Sequence, residues 1–381
     1  MDVVHVGFDG LRFSVEAAIP ADLRETLIGA KLMATRRSAE VHIEWNGLEL
    51  MVRSSGGMKG FSVHTGDHGA EWWLSDPENP PRNTPGVRAD FRAFGLAEGG
   101  LAHAREHFDA CMEAFGVRYE AHQVKVSRVD IAVDIIAPGF EPERRCIVAP
   151  PNTKSRDRAQ VSDTQEHGVA ERTGSVSAGH VSNRQVTFYD KTKEVQDARK
   201  PGWYEVWNAR RAADSLPPLS RDMWKETTVW RIEARVGTKQ LRNKWELRGW
   251  EDLDHRIGDV FAHFCEKVTY RQPTRDSNRS RWPIEPIWNL FSDEVARFLS
   301  SHRLRVGPSE AREANRAEYV RGRMESALGA LVGIPAAEGC EPDEFEDFVR
   351  SKVSTLIRMN RHHPRPIDER IAATKSKYIF R

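Results

Sequence analysis

The sequence predicts an α+β fold in which a mainly antiparallel sheet carries helices on one face, followed by a helical C-terminal region. Short segments with apolar residues at every second position recur through the first two-thirds of the chain, and VSRVDIAVDII is the clearest of them. Segments with helical spacing are interspersed among these strands, in the order strand, helix, several strands, helix, strand. After residue 286 only helical patterns remain.

The N-terminal elements follow from spacing and turn signals. LRFSVEAAIP alternates as a half-buried strand does, and ADLRETLIGAKLMATRR then places Leu23, Leu27 and Leu32 on one side of a helix. AEVHIEWNGLELMVRSS predicts a hairpin, because Asn-Gly is a strong two-residue turn signal between alternating strands. GFSVHTG and AEWWLS are two further short strands, and the Pro-rich DPENPPRNTPG is a loop.

The second half of the sheet is predicted around one long loop. GLAHAREHFDACMEAFG is a helix that ends at Gly116, and a strand follows it. Residues 137–183 show little periodicity and predict a long loop. RQVTFYDK and VWRIEARVG are the last strands, separated by an aromatic, partly helical insertion. The expected division is one domain over 1–286, containing this loop, and a basic helical region over 287–381.

Composition excludes several classes of protein. The 381 residues carry 57 Lys and Arg against 56 Asp and Glu, but the basic residues concentrate late in the chain, which favours a polyanionic partner for part of the surface. The four cysteines form no Cys-x-x-Cys pair, which argues against a zinc site or a disulfide framework and fits a reducing cytoplasm. We expect no secretory signal and no membrane span.

Three of the predicted strands each have one apolar and one polar face, since residues two apart in a strand share a face. The residues expected on the polar faces are Arg128, Asp130, Ala132 and Asp134 on the first strand, Gln185, Thr187, Tyr189 and Lys191 on the second, and Arg231, Glu233 and Arg235 on the third. If the strands are neighbours, one surface combines carboxylates, a tyrosine and several cations. Taken singly, each such face is typical of a solvated sheet surface.

This combination fits metal-assisted transesterification of DNA. Carboxylate oxygens suit a hard cation such as Mg²⁺ or Mn²⁺, and a phenolate can attack phosphorus. Lys191 and the arginines would stabilise the phenolate and the phosphoryl charge. Asp130 and Asp134 are about 13 Å apart in a regular strand, so they cannot both bind one ion unless the strand bends.

The motifs SRVDIAVDI, NRQVTFYDKTKEV and WRIEARVGTKQLR, in this order, resemble the trans-acting Rep family of rolling-circle replication initiators, which includes plasmid initiators, related relaxases and filamentous-phage replication proteins. The resemblance covers about three-quarters of the chain and would make residues 1–286 a DNA-nicking domain. It implies that Tyr189 is the nucleophile, which nicks a double-strand origin and remains attached to the 5′ phosphate. There is no His-hydrophobe-His motif, so a carboxylate-based metal site is expected.

The resemblance also implies roles for other residues. Lys191 would contact phosphate, and Glu194 would support the metal site. The metal-site candidates are Asp130, Asp134 and Glu233. The residues expected to bind DNA, either at a supercoiled origin or as single strands, are Arg128, Arg184, Lys193, Arg231, Arg235, Arg279 and Arg281. A helicase partner and a homodimer are left open.

Several alternatives stay open on the sequence. A conjugative relaxase would use the same chemistry, and a non-catalytic origin-binding protein would keep the fold without needing Tyr189. A purely structural α+β protein would show no salt-dependent DNA binding. In RQPTRDSNRSRWPIEPIW the arginines and tryptophans could equally bind DNA or pack against the sheet. For Trp203 and Trp207 packing is favoured.

Overall fold

In the computed structural model the chain divides into two compact units, Met1–Val306 and Gly307–Arg381. The structure describes residues 1–56, 59–80, 84–149, 164–169, 172–220, 222 and 227–303 of the first unit. In the second unit it describes residues 320, 324, 327–329, 331–335, 338–360, 367–369 and 371.

One eleven-stranded antiparallel sheet forms the centre of the first unit, in the order β2-β3-β4-β5-β6-β1-β7-β12-β11-β10-β9. Its strands are β1 (Asp2–Val15), β2 (Val41–Trp45), β3 (Leu48–Val52), β4 (Gly60–His64), β5 (Ala70–Ser75), β6 (Val87–Phe91), β7 (Val124–Ile136), β9 (Thr164–Val169), β10 (Arg172–Gly179), β11 (Arg184–Asp190) and β12 (Val229–Gly237). A separate two-stranded sheet pairs β8 (Ile147–Val148) with β13 (Thr269–Tyr270).

The helices of the first unit are α1 (Ala21–Arg37), α2 (Ala93–Ala114), α3 (Lys191–Asp197), α4 (Gly202–Ala213), α5 (Thr238–Leu241), α6 (Trp250–Lys267) and α7 (Pro286–Phe298). The four longest, α1, α2, α6 and α7, bury residues such as Leu27, Phe108, Phe261 and Phe291 in one core with the apolar face of the sheet. The predicted α+β class with an antiparallel sheet is confirmed, and these four longest helices lie on one face of it.

A smaller helical layer covers part of the opposite face. α3 and α4 bury Val195, Trp203 and Trp207 against Val4 and Val229 in a second apolar cluster. The two tryptophans therefore pack, as expected. The polar face of the sheet is consequently covered by helices at one end, which an alternating strand pattern alone does not reveal.

The Asn46-Gly47 turn connects β2 to β3 as predicted. Asn46 has φ 45° and Gly47 has φ 81°. Two consecutive positive φ values are the geometry of the two-residue hairpin turn that matches the twist of antiparallel strands. The turn thus fixes the register in which Val41 pairs with Val52.

The predicted loop over residues 137–183 requires correction. β9 and β10 lie within this range and form a hairpin that extends the sheet from β11. These strands contain few apolar side chains, since β10 buries Val176 between Ser175 and Ser177, so their periodicity is weak. Residues 150–163 and 170–171 lie outside the described part of the chain.

The boundary expected after residue 286 also lies too early. Ile287, Trp288 and Phe291 of α7 are buried in the main core, so the helix belongs to the first unit. Trp282 is also buried, so both tryptophans of this segment pack rather than face solvent.

In the second unit the structure defines α8 (Phe345–Met359). Most of the predicted helix over residues 309–333, and most of the basic tail after residue 360, lies outside the described residues. Among the residues that are described, no helix has both the length and the apolar character needed to cross a bilayer.

Candidate active site

The three polar strand faces predicted from the sequence meet on one surface, because β7, β12 and β11 are consecutive in the sheet. The strand register places Arg231 opposite both Asp134 and Tyr189. Four residues further along β12, Arg235 lies opposite Asp130 and Gln185. Glu233 lies between these two rows, opposite Ala132 and Thr187. A single five-residue span of each strand therefore supplies all of these side chains.

β1 adds a carboxylate that the sequence interpretation missed. The register of β1 against β7 shifts between Phe8 and Gly10, so Asp9 occupies a bulge. Its Oδ1 accepts a hydrogen bond from Arg231 Nη1 at 2.6 Å, which places Asp9 on the same surface. The sequence feature that could have indicated this bulge is an acidic residue followed by glycine within a mainly apolar strand.

Asp134 and Arg231 form a fully buried ion pair at the covered end of this surface. Arg231 donates from Nε to Oδ1 at 2.6 Å and from Nη2 to Oδ2 at 2.7 Å. Trp207 of α4 donates to Oδ2 at 2.7 Å, and the Arg231 guanidinium lies 4.2 Å from the Trp203 ring centre. Burial would raise the pKa of Asp134, but Arg231 outweighs it and the pKa is lowered.

This geometry changes two sequence interpretations. Both oxygens of Asp134 accept hydrogen bonds from neighbouring side chains, so in this structure Asp134 is a counter-ion of Arg231 rather than a free metal ligand. Arg231 has no exposed side-chain surface and pairs with Asp134 and Asp9, so it does not offer donors to a DNA phosphate. Its role here is to hold the two carboxylates beside Tyr189.

Asp130 and Glu233 lie at the other end of this surface and are also buried, whereas Arg128 and Arg235 beside them are partly exposed. Asp130 is buried and accepts hydrogen bonds from Arg128 Nε at 2.8 Å and from Arg235 Nε at 3.0 Å. Arg235 also contacts Glu233. Burial, followed by the nearby charges of Asp9 and Asp130, raises the pKa of Glu233 to about 7. The carboxyl groups of Asp9, Asp130 and Glu233 are thus close enough to repel one another.

The Glu233→Gln variant should be more stable than the wild type at pH 8. The pKa of Glu233 rises from 4.5 to about 7 on folding, so the folded state binds the extra proton and loses stability as the pH rises between these values. Glutamine removes this dependence. Urea unfolding should show a gain of about 1–3 kcal/mol at pH 8 and almost none at pH 4.5. A variant less stable than wild type at pH 8 would contradict the assigned environment.

Tyr189 lies at the end of β11 and is half-buried. Burial raises the pKa of its phenol well above the usual value, and the opposing effect of Arg231 is smaller. The free protein therefore holds Tyr189 as a neutral phenol at neutral pH. A reaction in which Tyr189 is the nucleophile requires its proton to leave when substrate is bound.

Lys191 follows Tyr189 at the start of α3 and is buried. Its Nζ pairs with Glu194 and lies 4.6 Å from the Trp203 ring centre and 5.8 Å from that of Tyr189. Burial and then Arg231 lower the pKa of Lys191. The ammonium has three donors, so its pairing with Glu194 leaves contact with phosphate open, and the predicted roles of both residues remain predictions.

The remaining predicted DNA-binding residues lie apart from Tyr189. Arg184 shares the face of Val186 and Phe188, opposite to Tyr189, and its buried Nη1 has no hydrogen-bond partner among the residues that the structure describes. Lys193 is exposed on α3 and pairs with Asp197 at 2.7 Å. Arg279 and Arg281 lie in a short 3-10 turn before α7. Of the predicted set, only Arg128, Arg231 and Arg235 join the tyrosine surface.

The donor chemistry of this surface suits Mg²⁺ or Mn²⁺, although it is not a ready-made cage. Among the described residues no group of three or more His, Cys, Asp or Glu side chains is arranged to hold a metal ion. Mg²⁺, however, commonly binds one or two protein carboxylates together with waters and substrate phosphates. Burial and then the charges of Asp9 and Asp130 raise the pKa of Glu233. Glu233 and Asp9 fit this mode of Mg²⁺ binding, because a cation would offset the repulsion between these carboxylates.

No protein-family model and no curated protein matches this sequence. Among solved structures, the chain is similar to a rolling circle replication initiator protein from Geobacillus stearothermophilus, with 14% sequence identity and a TM-score of 0.36. The match covers 77% of this chain and 97% of that chain. At this level of similarity, function has to be inferred from the residues of the site itself.

Proposed function

We propose that this chain is a metal-dependent DNA-nicking and strand-joining protein that initiates rolling-circle replication through Tyr189. One observation carries the proposal: adjacent strands bring Tyr189, Arg231, Asp9 and Glu233 to one face of the sheet. A half-buried tyrosine with a raised pKa beside several carboxylates and arginines is typical of a reactive site. The ordered sequence motifs independently support the same chemistry.

In the proposed reaction the phenolic oxygen of Tyr189 attacks a DNA phosphorus atom. The new bond joins tyrosine to the 5′ phosphate, and the bond from phosphorus to the 3′ oxygen breaks. The phenol loses its proton, and the leaving 3′ oxygen ends as a hydroxyl that can prime synthesis. The reverse attack by a 3′ hydroxyl releases Tyr189 and joins the strands.

The residues around Tyr189 have distinct parts in this scheme. Glu233, whose pKa is about 7, changes charge in the range where such an enzyme works. Arg231 favours the phenolate form of Tyr189, although burial outweighs it in the free protein. Glu233 and Asp9 would hold a divalent cation, which supplies Lewis-acid polarisation of the phosphate when bound. Arg128 and Arg235, whose side chains are partly exposed, would contact DNA phosphate.

The test is incubation of purified protein with supercoiled DNA of its native replicon, with Mn²⁺ or with EDTA. We expect open circles only in the presence of the metal. Intact supercoils together with a tight, salt-sensitive gel shift would instead support a non-catalytic origin-binding protein. A preference for the transfer origin of a conjugative element over a replication origin would support a relaxase. A helicase partner and a homodimer stay predictions.

A further inference from the structure

The polar face of the sheet continues beyond Tyr189 onto β1, β6 and β5. In the strand register Arg12 of β1 lies between Arg128 of β7 and Asp90 of β6. One row further, Arg88 of β6 lies opposite Trp73 of β5. Since side chains directly opposite in an antiparallel pair share a face, this row continues the surface that contains Tyr189.

Trp73 is a large aromatic residue on the polar side of its strand. Its neighbours Trp72 and Leu74 are buried in the main core on the other face, whereas Trp73 is half-buried. The guanidinium carbons of Arg12 and Arg88 lie 5.6 Å and 5.9 Å from the Trp73 ring centre. Trp73 is not part of the main core, and its ring lies beside these two arginines.

The charges around Trp73 are unbalanced. Arg12 pairs with Asp90, but Arg88 forms no ion pair within 4 Å with any other residue that the structure describes. Burial and then the charge of Arg12 lower the pKa of Arg88, and Asp90 offsets this only in part. Because Arg88 has no such ion pair among the described residues, its guanidinium donors can bind an anion from outside the chain.

We propose that Trp73, Arg88 and Arg12 form a binding surface for single-stranded DNA that is continuous with the Tyr189 site. Aromatic side chains stack on unpaired bases, and arginines bind the backbone phosphates beside them. β5 and β11 are separated by five strand steps, or about 24 Å across the sheet. The Trp73 row meets β1 at Ser14 and the Tyr189 row meets β1 at His5, which adds an offset of about 30 Å along the strands. About eleven stacked nucleotides cover the resulting diagonal of about 38 Å, so one strand can occupy both places.

This inference rests on the proposed function, because that function is the reason to expect single-stranded DNA as the ligand. It adds a binding site that the nicking chemistry itself does not require. It is tested by measuring affinity for a short oligo-dT strand by fluorescence anisotropy over a range of salt concentrations. Variants are Trp73→Ala, Arg88→Ala and, as a control, Arg105→Ala, which removes an exposed arginine from α2 on the other side of the sheet.

Trp73→Ala should weaken binding by about 5- to 150-fold and leave the salt dependence unchanged, because stacking releases no counterions. Arg88→Ala should weaken binding and reduce the slope of log affinity against log salt by about 0.7. Arg105→Ala should behave as wild type. Thermal unfolding of each variant checks that the fold is intact. In a second pair of variants, Trp73→Leu should lose affinity for oligo-dT, and Trp73→Phe, which keeps an aromatic ring, should retain most of it.

Wild-type affinity of both Trp73→Ala and Arg88→Ala would overturn the inference, and Trp73 would then only cover the sheet. That outcome leaves the proposed function standing if the wild-type protein nicks supercoiled DNA. Conversely, these variants could lose affinity for oligo-dT while the wild-type protein does not nick supercoiled DNA. That result would support the binding surface and reject the nicking chemistry.

Discussion

Replacing Tyr189 by phenylalanine is expected to reduce the rate of DNA nicking by at least about 1,000-fold, because the variant lacks the only atom that attacks phosphorus in the proposed reaction. The aromatic ring would remain between Lys191 and Arg231, so the fold and the DNA affinity should change little. The measurement compares the initial rate of open-circle formation with the affinity in a gel shift, both under the same metal and salt conditions.

The matched control is Tyr119→Phe, which also removes one phenolic oxygen. Tyr119 donates to Asp109 at 2.9 Å, and its ring contacts Phe108 on the helix-covered side of the sheet. Its loss should not affect nicking. Wild-type nicking by the Tyr189→Phe protein would mean that Tyr189 is only the aromatic residue that ends β11.

Asp134→Asn is expected to have the largest effect on stability. The substitution keeps the shape of the side chain but leaves the buried guanidinium of Arg231 facing a neutral amide. Removing one partner of a buried ion pair typically costs about 3–5 kcal/mol, and we expect about 3 kcal/mol because Asp9 still pairs with Arg231. The pKa of Asp134 is lowered in the folded state. The wild type therefore loses the stability that the ionised carboxylate provides as the pH falls through this lowered pKa, and the difference in unfolding free energy between the wild type and Asp134→Asn should shrink there.

Asp76→Asn provides the matched control for this measurement. Asp76 accepts from Arg24 Nε at 2.7 Å, but both side chains of this pair are partly exposed. A pair of this kind is worth at most about 1 kcal/mol. Urea unfolding at pH 7 should therefore separate the two variants clearly. Equal losses for Asp76→Asn and Asp134→Asn would contradict the buried role of Asp134.

Most of the sheet could be predicted because strand alternation is a local property of the sequence. The apolar and polar faces of β7, β11 and β12 follow directly from a period of two. Their adjacency did not follow from the periodicity and came from the structure. The edge hairpin β9–β10 was missed because an edge strand needs few apolar residues.

The parts of the site that the sequence did not reveal depend on tertiary structure. Asp9 reaches the surface through a bulge, which breaks the alternation used to assign faces. The burial of Asp134 and Arg231 depends on α4, because its tryptophans cover their end of the sheet. The alternating pattern therefore suggested one open polar face. In the structure the tryptophans cover the end around Asp134 and Arg231, and at the other end Asp130 and Glu233 are buried while Arg128 and Arg235 stay partly exposed.

The most direct test of the central claim is the identification of the covalent adduct. The wild-type protein is allowed to nick DNA with Mn²⁺ and is then digested with nuclease and trypsin. Trypsin cleaves after Arg184 and Lys191, so the account predicts that the peptide Gln185–Lys191 carries a nucleotide through its 5′ phosphate on Tyr189. An adduct on another residue, or nicked DNA with a free 5′ end and no modified peptide, would contradict it.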